Sequence, residues 1–230
     1  MLSIIIPVLN EAPNLQRLLP ILLQKCPRAE VIVVDGGSSD GTREVLQQFP
    51  LARLVASTRG RARQMNAGAR EARGEILLFL HADTFLPDGA EQAILMALGD
   101  PRIAGGRFDV RFDSSRVIFQ AIAFLMNFRS RLTWIVTGDQ ALFVRQTIFA
   151  EMGGYPDIPL MEDVEFSKHL RRHGGIACLR LPVTASPRKW EREGVVRTVL
   201  LMWTLRLLYF FGASPARLHR FYYGHPPSIE

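Results

Sequence analysis

The sequence predicts an α/β protein, with a mixed, mainly parallel sheet flanked by helices and a helical segment towards its C-terminal end. Three observations carry this. Short apolar runs recur at Leu2–Ile6, Val31–Val34 and Ile76–Leu80. They are too short for helices and continuous enough for strands buried on both faces. Helix-like segments separate them, and strand–helix alternation means parallel strands joined by crossover helices. No Gly-x-Gly-x-x-Gly follows the first run, which argues against a dinucleotide fold.

In order, the first strand ends near Pro7, and Asn10-Glu11 lie just past it. A helix is expected from about Asn14 to Gln24, with Leu15, Leu18, Leu19 and Leu22 on one face; Pro20 should kink or split it. The second strand runs into Asp35-Gly-Gly-Ser-Ser-Asp-Gly-Thr42. Gly36 and its neighbours allow positive φ and close approach of backbone to a ligand. Asp40 or Ser39 can cap a helix starting near Thr42. Asp35, at a buried strand end, is placed to accept hydrogen bonds from a base or ribose, or else forms a plain turn. Leu51–Ala56 reads as a third strand, and Arg59–Ala72 as a helix with arginines, Arg59 and Arg63 among them, in its first turn. Cations there oppose the helix dipole, so an anion nearby, such as a nucleotide phosphate, would relieve them.

Ile76–Leu80 is the fourth strand, followed at once by His81-Ala-Asp-Thr84. In open α/β sheets ligands sit past the carboxyl ends of strands, so His81 and Asp83 stand where a divalent cation could be held; the alternative is an ordinary turn. A helix follows Pro87 to about Leu98, Gly105–Arg111 alternates as a half-exposed strand, and Val117–Phe128 has the length of a core helix. Gly138–Val144 reads as turn and strand, Gly153–Pro156 as a loop. Leu160–Leu170 begins a helix with Glu162 and Asp163 in its first turn, where acidic residues suit any helix. Ile176–Leu181 is a short strand, and Pro182–Glu193, with Arg188, Lys189 and Trp190, is expected to be irregular or extended. Val195–Phe211 is apolar and helical, but Arg197 and Arg206 lie nine residues apart, which at about 100° each puts them on roughly opposite faces. Such a segment suits neither a clean surface helix nor a comfortable membrane span. It either packs with 117–128 as a helical subdomain or presses on a membrane, its arginines meeting lipid phosphates.

The 230 residues carry a net charge of +6, nearly all of the cations being arginine; Lys25, Lys168 and Lys189 are the only lysines. Arginine suits forked contacts to phosphate and carboxylate. No basic block interleaved with aromatics precedes the tail, which disfavours nucleic acid. Cys26 and Cys178 are the only cysteines, so neither a disulfide framework nor a structural zinc site is expected. A reducing, cytoplasmic setting without a signal peptide fits, with peripheral contact at the inner face of the cell membrane as an extension.

Three signatures stand together in order: Ser3-Ile-Ile-Ile-Pro-Val-Leu-Asn-Glu11, Val31-Ile-Val-Val-Asp-Gly-Gly-Ser-Ser-Asp-Gly-Thr42 and Leu78-Phe-Leu-His-Ala-Asp-Thr84. The set resembles family 2 glycosyltransferases of the GT-A fold, over most of the chain to about Trp190. With its short basic tail it is similar to a small bacterial subgroup, some members of which are labelled arsenosugar-biosynthesis enzymes. The resemblance implies a nucleotide-diphosphate sugar donor, Mg²⁺ or Mn²⁺, and inversion at the sugar carbon. It implies that Pro7, Asn10 and Glu11 line the nucleotide pocket, Asp35 holds base or ribose, Arg59 and Arg63 lie nearby, and Asp83 holds the metal. His81 replaces the first Asp of the family's usual Asp-x-Asp. Asp163 is the expected general base, Glu162 orients the acceptor, Arg188 and Lys189 stabilise the leaving group, and Trp190 offers a face to a sugar ring. His225 is a further metal candidate, since some GT-A enzymes add a late histidine. One domain is expected, with a nucleotide-sugar half (1–100), an acceptor half (101–193) and an apolar helix with basic tail (194–230). The acceptor is a small or lipid-linked molecule bearing a hydroxyl. Two rivals share parts of the pattern: a Rossmann-like methyltransferase, suggested by Val-Val-Asp-Gly-Gly, and a degenerate transferase fold serving as a membrane-recruited binding protein.

Overall fold

All four N-terminal apolar runs form strands, and each carboxyl end points to one edge of the sheet. In the computed structural model, which describes residues 1–224, β1 (Leu2–Val8), β2 (Glu30–Asp35), β3 (Ala52–Ala56) and β4 (Ile76–Phe79) pair in parallel in the order β3-β2-β1-β4. The Lys189 side chain and His225 lie outside the described residues. Helices α1 (Ala12–Lys25), α2 (Thr42–Gln47) and α3 (Arg61–Glu71) are the crossovers. α1 buries Leu15, Leu18, Leu19 and Leu22 against one sheet face, each burial contributing about 1.5–3 kcal/mol. Pro20 does not split α1, which is continuous through it.

On the opposite face α3 lies close enough that a Cβ on Gly68 would meet Ile5 Cγ2 at 2.5 Å and Val34 Cγ2 at 2.8 Å. A glycine at this point lets the helix backbone approach the strands. That closeness brings Gln64 within reach of two strand ends: its Nε2 donates to Val8 O (2.7 Å) and Val34 O (2.8 Å).

The remaining elements are β5 (Thr84–Phe85), α4 (Ala90–Ala97), β6 (Ile103–Phe112), α5 (Val117–Thr133), β7 (Phe143–Arg145), α6 (Gln146–Glu151), α7 (Glu162–Leu170), β8 (Gly175–Ala185), α8 (Arg188–Glu193), α9 (Val195–Phe210) and α10 (Pro215–Tyr223). Among the described residues they complete an eight-stranded sheet, β3-β2-β1-β4-β7-β6-β8-β5, in which β7 runs antiparallel to both β4 and β6.

Two expectations change. Pro182–Glu193 is extended, as expected, only as far as Ala185, where β8 ends; beyond it Arg188–Glu193 form the helix α8. Pro182 lacks an N–H, and the β6–β8 register shifts just there, between Phe108 and Asp109, so the strand resumes beyond the proline. The 117–128 segment, longer than expected, is also a core helix on one side only. Phe119, Ile122 and Ala123 are buried, whereas Phe124, Leu125, Phe128 and Leu132 are exposed.

α9 docks on α7. Tyr209 donates its hydroxyl to Glu165 Oε1 (2.5 Å), Lys168 Nζ sits 4.9 Å from the Tyr209 ring centre, and Leu205 packs with Met161 and Leu218. Among the described residues no helix is long and apolar enough to cross a membrane.

Candidate active site

The carboxyl ends of β2, β1 and β4 lie side by side, and the loops that leave them are tied together. Asn10, at φ 57, donates its N–H to Ser38 Oγ (2.8 Å) and accepts from Ser39 N (2.9 Å) through Oδ1. Asparagine tolerates this left-handed conformation better than most residues. Glu11 N reaches Thr42 Oγ1 (3.1 Å), and Asp40 accepts from Ala12 N and Thr42 N (both 3.1 Å). Asp35 is buried, and Gly36 follows with a Cβ position 3.0 Å from Gln64. Burial alone would raise the Asp35 pKa. Hydrogen bonds from Ser38 (N–H, 2.9 Å) and Arg43 (Nε, 2.6 Å) outweigh it and hold the carboxylate below its usual range.

His81 and Asp83 face two different spaces, with buried Ala82 between them. His81 joins Pro7, Arg61, Gly138, Tyr155, Glu162 and Asp163 around a narrow cleft. Its Nδ1 lies 3.3 Å from Asp139 Oδ1. Both carboxylates come from the first turn of α7, which Met161 enters at φ 70, a backbone conformation unfavourable for a non-glycine residue. Asp163 accepts from Gly138 N (Oδ2, 3.3 Å) and Val164 N (Oδ1, 2.8 Å). Glu162 is buried, with Arg61 3.8 Å away. Burial, then the Asp163 charge, pushes the Glu162 pKa up, and Arg61 opposes the rise.

Asp83 opens into a cavity of about 220 Å³ lined by Asn14, Arg17, Asp113, Ser186, Arg188 and Glu191 among others. Arg188 donates to Asn14 Oδ1 (2.6 Å), and Asn14 donates to Glu11. One chain of contacts therefore joins the loop after β1 to α8. Burial raises the Glu11 pKa, the Asn14 hydrogen bond works against this, and the Asp83 charge adds to it. Among the described residues no group of three or more His, Cys, Asp or Glu side chains forms a metal cage. The donor set fits a hard divalent ion whose shell is completed by phosphate oxygens and water, as such ions are often bound.

Two nominated side chains have other neighbours, and a third is exposed. Arg63 pairs with Asp157 (Nε–Oδ1 3.0 Å), Trp190 packs edge-on against Phe112 (5.8 Å between ring centres), and Arg59 is exposed. Arg61, Asn14 and Gln64 were not singled out by sequence reasoning. Arg61 stood inside the noted arginine cluster, but which of several arginines turns inward depends on helix phase.

A family model described as "Glycosyl transferase family 2" matches residues 3–152. The chain belongs to this family. A PGL/p-HBAD biosynthesis glycosyltransferase of Mycobacterium bovis is 31% identical over 175 residues, 67% of this chain and 63% of that protein. Glycosyltransferase AglE of Haloferax volcanii is 40% identical over 90 residues, 35% of this chain and 30% of that protein. The matched stretch thus spans less than two thirds of either relative's length. Among solved structures, S. aureus TarS 1-349 in complex with UDP-GlcNAc superposes with a TM-score of 0.66 at 18% identity, covering 80% of this chain and 58% of that one. Mannosyltransferase PcManGT from Pyrobaculum calidifontis, in complex with GDP-Man and Mn²⁺, gives 0.63 at 22%, covering 80% and 56%. At these identities the likeness concerns the fold, and the architecture of this family 2 glycosyltransferase is the GT-A one its motifs implied. Family membership sets the methyltransferase alternative aside.

Proposed function

We propose that this glycosyltransferase moves a sugar from a nucleotide-diphosphate donor to a hydroxyl acceptor, with inversion and with a divalent cation. The observation that carries the reading is the cleft that Pro7 and His81, at the nucleotide end of the sheet, share with Glu162 and Asp163. The ligands named for the two solved relatives, UDP-GlcNAc and GDP-Man with Mn²⁺, support the donor class.

In this reading Asn10, Glu11, Asp35 and Gly36 form the wall for base and ribose. Asp83 would hold Mg²⁺ or Mn²⁺ together with the diphosphate; that ion, when bound, supplies Lewis acidity to the leaving group. Arg188, pinned by Asn14, adds positive charge on the same side. Asp163 takes the acceptor hydroxyl proton as that oxygen bonds to the anomeric carbon. On the opposite face the bond from that carbon to the diphosphate oxygen breaks, and its electron pair leaves with the nucleotide diphosphate. Glu162 orients the acceptor. Exposed Phe124, Phe128, Leu200, Trp203 and Phe210, with Arg197 and Arg217 nearby in sequence, support peripheral contact with an anionic membrane holding the acceptor.

Titration calorimetry of UDP and GDP with and without Mn²⁺ tests the donor side. Mn²⁺ is expected to tighten nucleotide binding, and Asp83→Ala to remove that dependence. Asp163→Ala should keep nucleotide affinity and lose turnover by about 10²–10⁴-fold. Turnover by Asp163→Ala at the parental rate would refute the base assignment.

A further inference from the structure

We infer that α9 and α10 clamp the entry of α7: Leu205, Leu218 and Tyr209 are positioning residues that hold Met161 in its left-handed turn and so aim Glu162 and Asp163 into the cleft. The inference deepens the proposed function and rests on its reading of Asp163 as the base.

The starting observation is a comparison within the chain. Among the described helices, three are entered through a residue in the left-handed region: α2 at Gly41 (φ 87), α4 at Gly89 (φ 74) and α7 at Met161 (φ 70). Glycine takes this conformation without steric cost. Methionine does not, and such a residue persists only where its surroundings over-determine it. At Met161 the surroundings are α9 and α10. Its buried side chain meets Leu205 and Leu218, both buried, in a small apolar cluster separate from the two that line the sheet. Leu201, Met202 and Ala213 close around it. A glycine at 161 would keep the turn and lose this contact; the methionine gives α9 and α10 a handle on the turn.

A second tie grips the same helix from behind. Glu165 accepts from Tyr209 Oη (2.5 Å) on α9 and from Lys168 Nζ (2.7 Å). Asp163 and Glu165 are two residues apart, about 200° around the helix, so α9 holds the side that faces away from the cleft. The helical bond from Glu165 N–H to Met161 O (3.1 Å) joins the two ties. The carboxylates set by this turn are those of the cleft: Glu162 lies 3.8 Å from Arg61, and Asp163 accepts from Gly138 N–H (3.3 Å). If Met161 relaxed to negative φ, the chain would enter α7 from another direction, and both contacts would be lost together.

The experiment separates this role from mere stabilisation by its locality. Amide exchange is followed by mass spectrometry in parent, Leu205→Ala and Tyr209→Phe, and calorimetry gives affinity for UDP and GDP with Mn²⁺ present. Turnover is followed as nucleoside diphosphate released from the nucleotide sugar that the parent hydrolyses fastest, UDP-GlcNAc and GDP-Man being tried first. In Leu205→Ala, exchange across 161–166 should quicken at least about tenfold, with that of β1 and β2 unchanged. The kcat should fall about 10–100-fold, with nucleotide affinity and donor KM held. Tyr209→Phe should move both readouts in the same direction by less; it removes a single hydroxyl and covers the case in which Leu205→Ala does not fold. Met161→Gly takes the turn without help, so combined with Leu205→Ala it should recover most of the lost kcat. Unchanged exchange across 161–166 in both single variants overturns the inference. So does quicker exchange spread over the whole chain with loss of nucleotide affinity, which marks a merely structural contact. A double variant no faster than Leu205→Ala overturns it as well. The exchange readout does not depend on what Asp163 does. Failure of the base assignment would appear as parental turnover in Asp163→Ala. Failure of this inference would appear as unaltered exchange, or as parental kcat in Leu205→Ala while Asp163→Ala is inactive.

Discussion

The His81 imidazole fills the space beside Gly138: a Cβ built on that glycine would fall 2.6 Å from Cε1 and still nearer to Nε2. The ring can sit in the cleft because residue 138 has no side chain. The same residue gives its N–H to Asp163, so one backbone position holds both the histidine and the expected base.

Gly138→Ala should therefore expel His81 from the cleft. The clash is with a side chain, which can rotate, so the fold should survive with a loss of less than about 2 kcal/mol. Activity should fall about 100-fold, the scale expected when reacting groups are misplaced by about an ångström. Turnover and thermal melting, measured on the same preparation, check this; unchanged turnover contradicts it.

Arg61 opposes the upward displacement of the Glu162 pKa. A raised carboxyl pKa means that the folded protein takes up a proton above the usual carboxyl range. Removing the opposing cation in Arg61→Gln should raise it further. The acid limb of kcat/KM should move to higher pH. A pH–rate profile with its acid limb unmoved would refute the coupling.

The Asp35 carboxylate lies below its ordinary range, held there by Ser38 and Arg43 against its own burial. A depressed carboxyl pKa adds stability above the unfolded value and loses it as pH falls through the folded value. Arg43 is half-exposed, so the pair is worth only about 1 kcal/mol. Arg43→Gln should cost about that at pH 7. The gap between variant and parent should close as pH falls below about 4. Urea unfolding at several pH values tests it, and a gap independent of pH would count against it.

Gly68→Ala sets two effects against each other. Alanine gains about 1 kcal/mol of helix propensity over glycine. The new methyl, however, would meet Ile5 and Val34 in a packed layer, and overpacking costs about 1–3 kcal/mol. Overpacking should win, lowering the melting temperature. A rise would mean that α3 moves away freely.

The parallel half of the fold was legible because β1, β2 and β4 are buried on both faces and read as short apolar runs, while β3 is only half-buried. Asp35, His81 and Asp83 follow such runs directly, so their place at the sheet edge could be read from their neighbours. The second half was harder. β7 has only three residues and α6 six, too few to show a period. Strand β8 passes through Pro182, which normally argues against a strand. Arg61 and Asn14 depend on helix phase and on partners far along the chain, which local patterns do not carry. Arg63 illustrates the same limit: its neighbour Asp157 lies 94 positions away.

The bond between Asn14 and Arg188 joins residues 174 positions apart. During synthesis, the chain that leaves the ribosome first must wait for nearly all the rest before this pairing can close. Prematurely terminated products lacking α8 would leave Asn14 without its guanidinium partner. Quality control of such fragments would then act on chains in which one wall of the cavity beside Asp83 is missing.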